Sequence, residues 1–416
     1  MRLAVFHNLP AGGAKRALYG LVKQLHRAGC AIDVLIPVGA DEAYLSLRDL
    51  ARRVEVFPVG ATWSGVVTSA LRYLPPIAPL SVSLADLERT QRRIAAVIDE
   101  GDYEAVFVEQ DRYTMSPFIL KYLVTPHVYY CQQPCRQQER VNETVRREGN
   151  VHRAPLLRID LARRYAEARL VQIDRGNASA ARSILANSYF SREAILRVYG
   201  MNASVCYLGV DHELFAHQDE DEDDYVMSVG YMGPMKGHDF IVRALARIEE
   251  RRRPRLVLVA NGIDHDWQRY IETLAARQGV VLDIRVLVSD PQLVQLYNRA
   301  RVFVYGAYLE PFGLAPLEAM ACGTPVVAVK EGGLRESIVD GDTGILVERD
   351  EGLFAAAVSE LLADDGKRRK IGRAAAAAVS ERWTMEQAGL RLLAHLQRAA
   401  KADATTAGGP RGAGRE

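Results

Sequence analysis

The sequence has few cysteines, no long apolar run and almost no net charge. Five cysteines in 416 residues are too few for a disulfide scaffold, and Cys131 and Cys135 lack neighbours that would complete a zinc site. No apolar run approaches the roughly 20 residues that a membrane-spanning helix needs. The formal net charge of +1 argues against a dedicated nucleic-acid partner, which usually selects for a clear positive excess.

The composition itself is that of a globular protein, with 49% hydrophobic and 25% charged residues. At roughly 150 residues per domain, the length predicts two or three domains. The chain opens with Met-Arg and passes directly into the strand-like Leu3–Phe6 without an apolar leader. We therefore expect a cytoplasmic protein.

Two stretches have unusual charge. Between Arg136 and Arg182 there are 11 arginines and 6 acidic residues, which fits either a solvated helix face or a docking face for an anionic membrane or acceptor. Val56–Ala85 has a single charge, Arg72, and four prolines, which fits either a packed loop or an apolar flap that touches lipid or acceptor. The second interpretation of each predicts a peripheral protein at the inner face of the membrane.

Short apolar runs alternate with helical patterns, which is typical of parallel α/β architecture. In the first half the predicted strands are Leu3–Phe6, Ala31–Pro37, Ala105–Val108, Val128–Tyr130 and Ser183–Asn187, and the helices are Ala14–Ala28 and Arg192–Tyr199. In the second half the strands are Tyr225–Val229, Arg255–Ala260, Val281–Val286, Arg301–Val304, Pro325–Val329 and Gly344–Val347, and the helices are Asp239–Glu249, Glu351–Leu362, Lys367–Glu381 and Met385–Ala400.

The two halves are separated by six consecutive acids, Asp219–Asp224, which repel one another and predict a linker or an exposed turn. We therefore predict two Rossmann-like domains that face a cleft, with ligands beyond the carboxyl ends of the strands. The predicted divisions are a first domain over 1–205, an inter-domain segment over 206–224, a second domain over 225–383, a closing helix over 384–400 that returns to the first domain, and a disordered tail over 401–416.

A glycine-containing turn, His7–Ala14, joins the first predicted strand to the first helix. Gly12 and Gly13 would let a ligand approach the backbone, and the helix start behind them offers unpaired N–H groups to an anion. The spacing differs from the G-x-G-x-x-G fingerprint, which makes a dinucleotide-dependent oxidoreductase less favoured.

A second turn, Glu310–Ala321, leads into another helix, in which Pro316 suits the first position and Glu318 the first turn. One interpretation is that Glu318 only complements the helix dipole. The other is that this helix start meets a diphosphate, with Glu310 and Glu318 binding ligand hydroxyls and Lys236 neutralising the phosphates from a neighbouring loop.

The spacing of these residues resembles a known family, the retaining nucleotide-sugar glycosyltransferases of family 4, also called glycosyl transferases group 1. The most specific match is the E-x7-E motif from Glu310 to Glu318, with Pro-Phe-Gly-Leu inside it. Further matching segments are Glu318–Val327, Gly332–Glu336, Asp340–Gly344, Ser289–Tyr297, Asn187–Phe190 and Tyr207–Asp211. The resemblance covers most of the chain up to about Ala400.

The resemblance implies a GT-B fold and a transfer reaction from a nucleoside-diphosphate sugar to a glycan or lipid-linked acceptor, often in cell-envelope or exopolysaccharide synthesis. It implies no metal and no cofactor besides the donor substrate. By position, Glu310 and Lys236 would be catalytic and Glu318 would hold the ribose. The diphosphate would meet Phe312, Gly313 and Leu314 from one domain and Gly12 and Gly13 from the other.

Two positions depart from the family pattern. Tyr231 stands where the family commonly has a phosphate-binding arginine, so Lys15 or Arg16 would have to substitute. Gln132 stands where some members have a histidine, and it can hydrogen-bond a sugar but cannot share a proton near neutral pH. His127 lies nearby and is either a compensating group or a strand-end residue. These departures keep a second hypothesis open, a catalytically impaired nucleotide-sugar-binding partner or sensor.

Overall fold

In a computed structural model the chain forms two parallel β-sheets flanked by helices. The structure describes residues 1–60, 83–134, 157–218 and 220–407. The first sheet has seven strands in the order β3-β2-β1-β4-β5-β6-β7, and the second has six in the order β10-β9-β8-β11-β12-β13. The strands are β1 Arg2–Asn8, β2 Ala31–Pro37, β3 Arg53–Phe57, β4 Ala105–Asp111, β5 His127–Cys131, β6 Ile184–Ala186, β7 Ser204–Val205, β8 Asp223–Val229, β9 Arg255–Ala260, β10 Leu282–Val286, β11 Ala300–Tyr305, β12 Val326–Val329 and β13 Ile345–Val347.

The α-helices mostly connect successive parallel strands. They are α1 Gly13–Arg27, α2 Leu84–Asp99, α3 Leu157–Ala178, α4 Tyr189–Tyr199, α5 His238–Ala246, α6 His265–Arg277, α7 Asp290–Arg299, α8 Leu314–Ala321, α9 Leu334–Ser337, α10 Glu351–Ala363, α11 Asp365–Arg382 and α12 Met385–Ala407. Short 3₁₀ helices lie at Phe118–Lys121, Pro234–Lys236 and Glu250–Arg252. The arrangement is that of two Rossmann-like domains, as the alternating sequence pattern predicts.

Apolar periodicity explains why these segments form their elements. Leu3–Phe6 is completely buried at the centre of the first sheet, because helices cover both of its faces. Helix α1 buries Leu18, Leu21 and Leu25, which recur on one face. Each sheet therefore supplies a rigid frame whose strand ends position the polar side chains.

The structure contains elements that the sequence analysis did not predict, among them the strands β3 and β7 and the helices α2, α3, α6 and α7. Strand β3 was missed because its alternating charged sequence looks like surface, and its last two residues, Val56 and Phe57, begin the stretch predicted as an apolar loop. Residues 61–82 of that stretch lie outside the described residues. Strand β7 was also missed, since it has only two residues. Much of the arginine-rich segment, residues 135–156, is likewise outside the described part.

The end of the acidic run is largely exposed, as expected, but it is held by ion pairs. Asp223 and Asp224 are the first residues of β8 and pair with Arg299 at 2.9 Å and Arg301 at 3.3 Å. The preceding Glu222 pairs with the buried side chain of Arg368 on α11. The end of the run is therefore fixed to the second domain by cations from other elements.

The last helix, α12, belongs spatially to the first domain. It packs against α1, β4 and β5, although it follows the second domain in the chain. The approach to α1 is so close that a Cβ atom on Gly20 would lie 2.5 Å from the Met385 side chain. The helix continues to Ala407, so the expected disorder from residue 401 is wrong for its first seven residues, an alanine-rich stretch that favours helix.

The carboxyl ends of the two sheets face each other. Contacts between them include a hydrogen bond of 2.6 Å from Ser188 Oγ, at the start of α4, to the carbonyl oxygen of Pro311. The Glu336 carboxylate of α9 accepts hydrogen bonds from the backbone N–H groups of Tyr189 and Phe190 at 2.8 and 2.9 Å. The cleft between the sheets is where open α/β folds bind ligands.

Candidate active site

The centre of the second domain's cleft face is a triad of the buried Tyr305 and the partly buried Lys236 and Glu310. The Lys236 ammonium donates to Glu310 Oε2 at 2.8 Å and to the Tyr305 hydroxyl at 3.1 Å, and the hydroxyl donates to the same carboxylate at 3.0 Å. Burial lowers the pKa of Lys236, but the charge of Glu310 and the interactions with Tyr305 together outweigh it, so the net pKa lies above its ordinary value. Lysine therefore stays charged and is fixed in position.

The Glu310 loop is held by a pair of glycines. The N–H of Gly333 donates to the Glu310 carbonyl oxygen at 2.8 Å. A Cβ atom on Gly333 would lie only 2.2 Å from the Pro311 carbonyl oxygen, so only glycine allows this approach. Arg349 braces the same loop, since it donates to the carbonyl oxygens of Gly306 and Ala307 at 2.9 and 3.0 Å.

Helix α8 follows this loop and begins earlier than the sequence predicted. Gly313 is the residue before its first turn, Leu314 is its first residue, and Pro316 occupies the third position. Glu318 therefore lies in the second turn, which corrects the expectation of a first-turn acid. The aromatic ring of Phe312 is buried against Tyr207, so only the backbone at this position can meet a ligand. The N–H groups of the first turn have no intrahelical partner.

Glu318 is buried and faces the first domain. Tyr297 donates its hydroxyl to Glu318 Oε2 at 2.9 Å, and the Arg16 guanidinium lies 3.7 Å from Oε1. Burial raises the pKa of Glu318, while Arg16 and Tyr297 act in the opposite direction. Arg16 also makes a two-pronged ion pair with Asp290, at 2.5 and 3.1 Å. An arginine on α1 thus bridges two carboxylates of the other domain.

A cavity of about 250 Å³ lies beside this bridge. Its walls come from α1, from the inter-domain segment around Gly209–Asp211 and from the starts of α7 and α8, and they include both Arg16 and Glu318. The cavity reaches the carboxylate that the sequence assigned to ribose binding. It also lies at the domain junction, a common place for small-molecule sites.

The Gly12-Gly13 turn closes the cleft from the first domain. A Cβ atom on Gly12 would lie 3.4 Å from the side chain of Asn261, which follows β9 of the second domain, whereas one on Gly13 would meet nothing within 4 Å. Gly12 is the residue before α1, so the N–H groups of that helix start point at the same gap. The turn is therefore placed as the sequence predicted, between the two sheets.

Lys15 does not face the cleft, contrary to one of the substitutes expected for the absent phosphate-binding arginine. Its side chain is fully buried, and its ammonium donates to Glu42 at 2.5 Å and lies 3.3 Å from His7 Nε2. Burial lowers the pKa of Lys15, and it lowers that of His7 to about 4. Arg16 is the other expected substitute, and it is held by Asp290 and Glu318 instead.

His127 does not reach the site either. It begins β5 and so lies at the amino end of the sheet, opposite to the cleft. Its Nδ1 is 3.1 Å from the Thr125 carbonyl oxygen, and its Nε2 accepts the N–H of Arg182 at 3.2 Å. Burial lowers the pKa of this histidine. Both ring nitrogens have backbone partners, so the strand-end interpretation is correct and the compensating role is wrong.

Gln132 lies at the opposite end of β5, on the cleft side. Its Nε2 donates to Glu109 Oε1 at 3.1 Å, and Glu109 lies near the carboxyl end of β4. Burial raises the pKa of Glu109 to about 8, although N–H donors from Gln110 and Gln132 oppose that shift. The structure thus places a buried carboxyl group beside Gln132 that sequence analysis did not single out.

Tyr231 follows β8 on the cleft side and is half exposed. Its ring lies over two glycines, since Cβ atoms on Gly233 and Gly262 would approach it to 2.8 and 3.0 Å. A tyrosine packed in this way supplies a flat aromatic surface where an arginine would supply a charge.

Three functional candidates were missed by sequence analysis: Tyr305, Tyr297 and Glu109. Tyrosines inside apolar strands or helices look like core residues, and a single glutamate near the end of a strand belongs to no motif, so no local signal distinguishes them. Among the described residues no cluster of three or more His, Cys, Asp or Glu side chains could hold a metal ion. Within the same residues, no helix combines the length and apolarity needed to cross a membrane.

The second half of the chain is similar to known glycosyltransferases. Residues 210–378, which include Lys236, Glu310 and Glu318, match the family model of the glycosyl transferases group 1. A D-inositol 3-phosphate glycosyltransferase of Kribbella flavida is 38% identical over 223 residues, covering 47% of this chain and 52% of that protein. A glycosyltransferase of Methanocaldococcus jannaschii is 35% identical over 170 residues, covering 40% and 43%. The chain thus spans about half the length of the curated relatives it matches.

Solved structures resemble the whole chain. Sucrose-phosphate synthase of Thermosynechococcus elongatus superposes with a TM-score of 0.72 at 20% identity, covering 97% of this chain and 99% of that one. HepE of Anabaena, in complex with UDP and glucose, superposes with a TM-score of 0.71 at 20% identity, covering 96% and 100%. Two sheets of seven and six parallel strands match these glycosyltransferase folds. The chain therefore has a GT-B fold, and its residues 210–378 match the glycosyl transferases group 1 family model.

Proposed function

We propose that the protein is a metal-independent, retaining glycosyltransferase that moves a sugar from a nucleoside-diphosphate sugar to a glycan or lipid-linked acceptor. The observation that carries this proposal is the Lys236–Glu310 pair beside the start of α8, at 2.8 Å. It places a fixed cation next to unpaired backbone N–H groups, and this combination suits a diphosphate leaving group. No dinuclear or mononuclear metal centre is needed for that task.

In this mechanism the second domain holds the donor. Lys236 and the N–H groups of Gly313 and Leu314 at the start of α8 bind the diphosphate, while the Gly12-Gly13 turn covers it from the first domain. Glu310 orients Lys236 and accepts hydrogen bonds from the sugar hydroxyls. Glu318, on the cavity wall, holds the ribose.

The transfer itself breaks the bond between the anomeric carbon and the diphosphate oxygen. The acceptor hydroxyl forms the new bond on the same face of the sugar, and its proton passes to the departing phosphate oxygen. The fixed positive charge of Lys236 stabilises the negative charge that develops on this phosphate. Glu310 and Glu318 are not an acid–base pair of the hydrolase type, because such a pair must flank a glycosidic bond.

The names of similar proteins support a nucleotide-sugar donor. HepE was solved with UDP and glucose, and the curated relatives are named as glycosyltransferases. UDP-linked sugars are therefore the first donors to test. Cell-envelope or exopolysaccharide synthesis is the setting that we propose, with the protein in the cytoplasm at the inner membrane face. Co-sedimentation with anionic vesicles that is lost at high salt would support that location, and salt-independent co-sedimentation would contradict its electrostatic basis.

The donor can be identified by thermal unfolding with UDP-, GDP-, ADP-, TDP- and CMP-linked sugars. A ligand at about 100 times its Kd stabilises the folded state by about 2.7 kcal/mol. We expect one nucleotide sugar to raise the Tm of the wild type but not that of Glu318→Ala. The control is Glu348→Ala, which removes an exposed acid of the second domain, and its Tm should rise as that of the wild type does. Release of the nucleoside diphosphate in the presence of candidate acceptors then measures transfer. Neither binding nor release with any donor would overturn the proposal.

A second candidate function is a nucleotide-sugar-binding partner or sensor without transfer activity. The observation that favours it is Tyr231, an uncharged ring where a cation would assist the leaving group. Donor binding without turnover, unchanged in Tyr231→Arg and Gln132→His variants, would support this function. Turnover by the wild type would exclude it.

A further inference from the structure

The first domain has its own polar pair at the cleft, formed by Glu109 and Gln132. They follow neighbouring parallel strands, because Val106, Phe107 and Val108 of β4 pair with the first three residues of β5. Glu109 is fully buried, and Gln132 keeps 8% of its surface exposed. Of the two, only the glutamine can meet a ligand directly.

A short chain of hydrogen bonds joins this pair to the donor side. The Ser191 hydroxyl donates to the Gln132 carbonyl oxygen at 3.3 Å, and the Ser191 N–H donates to Ser188 Oγ at 2.9 Å. The Ser188 hydroxyl then donates to the carbonyl oxygen of Pro311, next to Glu310, at 2.6 Å. Gln132 is therefore fixed relative to the proposed catalytic loop, although it comes from the other domain.

Both carboxyl oxygens of Glu109 accept hydrogen bonds. Oε1 accepts from Gln132 Nε2 at 3.1 Å and Oε2 accepts from the Gln110 N–H at 3.1 Å. This arrangement suits an ionised carboxylate, and it leaves Gln132 Oε1 to accept from a ligand. A protonated Glu109 has one O–H to donate, and the Gln132 amide can receive it only by turning over. The amide then presents its N–H groups to the ligand instead.

We propose that Glu109 is a positioning residue that sets which end of the Gln132 amide faces the cleft. Gln132 then accepts a hydrogen bond from a sugar or acceptor hydroxyl when Glu109 is ionised, and donates one to the hydroxyl oxygen when Glu109 is protonated. This inference rests on the proposed glycosyltransferase function, since it assigns the ligand of Gln132. Through this pair the first domain orients a hydroxyl group of the ligand without placing a charged side chain against it.

Burial moves the pKa values of the groups on the strands beside Glu109 away from neutral pH. The pKa of His7, on the neighbouring strand β1, is lowered by burial to about 4, so that ring is neutral. Burial holds the pKa values of Tyr130 and Cys131 on β5 above their ordinary values. The positive charge from α12 is Arg391, which acts on Tyr130. A change centred on the Glu109 pKa of about 8 is therefore attributable to this carboxyl group.

The pH dependence of nucleotide release tests the proposal, with the donor identified above and saturating acceptor. We expect kcat of the wild type to change by up to about tenfold across pH 7 to 9, the worth of one reoriented hydrogen bond. Glu109→Gln and Gln132→Ala should both remove this inflection, whereas Glu100→Gln, an exposed acid at the end of α2, should keep it. An inflection that persists in Glu109→Gln, or its absence in the wild type, would overturn the proposal.

A second measurement does not depend on turnover. The infrared band of a protonated carboxyl group should disappear from the wild type as the pH rises through about 8 and be missing in Glu109→Gln. If the band titrates but no nucleotide sugar is bound or consumed, the glycosyltransferase function fails while the ionisation of Glu109 stands. If transfer occurs but the band does not titrate, the function stands and the role of Glu109 is wrong.

Discussion

The two faces of the cleft stabilise their buried polar groups in different ways. On the second domain's face each proposed functional carboxylate meets a cation: Glu310 meets Lys236 at 2.8 Å and Glu318 lies 3.7 Å from Arg16. On the first domain's face Glu109 meets only amide N–H groups. One face thus keeps fixed charges, and the other keeps a carboxyl group that can gain or lose a proton.

In a transferase, the two faces of the cleft would therefore bind different parts of the substrates. A diphosphate carries its charge into the cleft and needs fixed cations, because an unpaired buried charge is costly. A hydroxyl group is neutral and needs a hydrogen-bond partner of the right polarity, which an amide supplies. Variants that remove or add these charges therefore test whether the two faces differ in this way.

Removal of Glu310 should have the largest effect. Glu310→Ala leaves Lys236 without its carboxylate and the sugar without its hydroxyl partner, so we expect kcat to fall by roughly 10²–10³, on the scale of losing one preorganised contact. Steady-state nucleotide release measures this, with Tm as a check on folding. Glu348→Ala is the matched control. A loss confined to KM would contradict the role of Glu310 in the transition state.

Removal of Arg16 should affect binding more than turnover. Arg16→Ala deletes the bridge to Asp290 and Glu318, which are both partly or fully buried. We expect donor affinity to fall by about tenfold, the worth of one charge-assisted hydrogen bond of about 1.5 kcal/mol. Isothermal titration with the identified nucleotide measures it, and Arg48→Ala, an exposed arginine of the same domain, is the control. Tighter donor binding in Arg16→Ala would mean that the arginine competes with the ribose for Glu318.

Addition of a cation at position 231 should have a smaller effect, in the opposite direction. Tyr231→Arg adds a charge at the half-exposed end of β8, so we expect kcat to rise by less than about tenfold, since solvent screens an exposed charge. Tyr231→Phe controls for the loss of the hydroxyl. A fall in kcat for both variants would show that the ring itself binds the ligand.

Acid should destabilise the two domains alike, because each buries a neutral histidine. Burial lowers the pKa of His7 to about 4 and that of His238 to about 3, against an ordinary value near 6.5. The unfolded state therefore binds more protons below pH 6.5, and the free energy of unfolding falls as the pH drops from there toward 4.

At about 1.4 kcal/mol per pKa unit, we expect each histidine to contribute on the order of 1 kcal/mol of destabilisation between about pH 6.5 and 5.5. Urea unfolding at several pH values measures this. His7→Asn and His238→Asn should each flatten part of the dependence, whereas His265→Ala, an exposed histidine, should not. Equal pH dependence in all three variants would contradict the assignment.

The sequence was informative about the second domain because its functional residues lie in short contiguous motifs. Glu310 and Glu318 share one turn and one helix, so their spacing alone places them together. Helix α8 still began two residues before the predicted start, because the positive φ of 95° at Gly313 ends the loop earlier than Pro316 suggests. Capping geometry of this kind depends on packing that a local pattern does not contain.

The first domain's site was harder to predict for a physical reason. Glu109 and Gln132 are 23 positions apart, and they meet only because β4 and β5 are neighbours in the sheet. Nothing in the sequence near either residue indicates that partner. The expectation that His127 compensates at the site failed for the opposite reason. His127 is close to Gln132 along the chain but lies at the other end of the same strand.

The return of α12 to the first domain also sets an order of events during synthesis. Helix α1 and strands β4 and β5 are made early, yet the helix that covers them is the last described element. While the chain emerges from the ribosome, the apolar surface that receives Leu392 and Leu396 stays uncovered until the second domain has been translated. The core of the first domain is therefore complete only after α12 has been made.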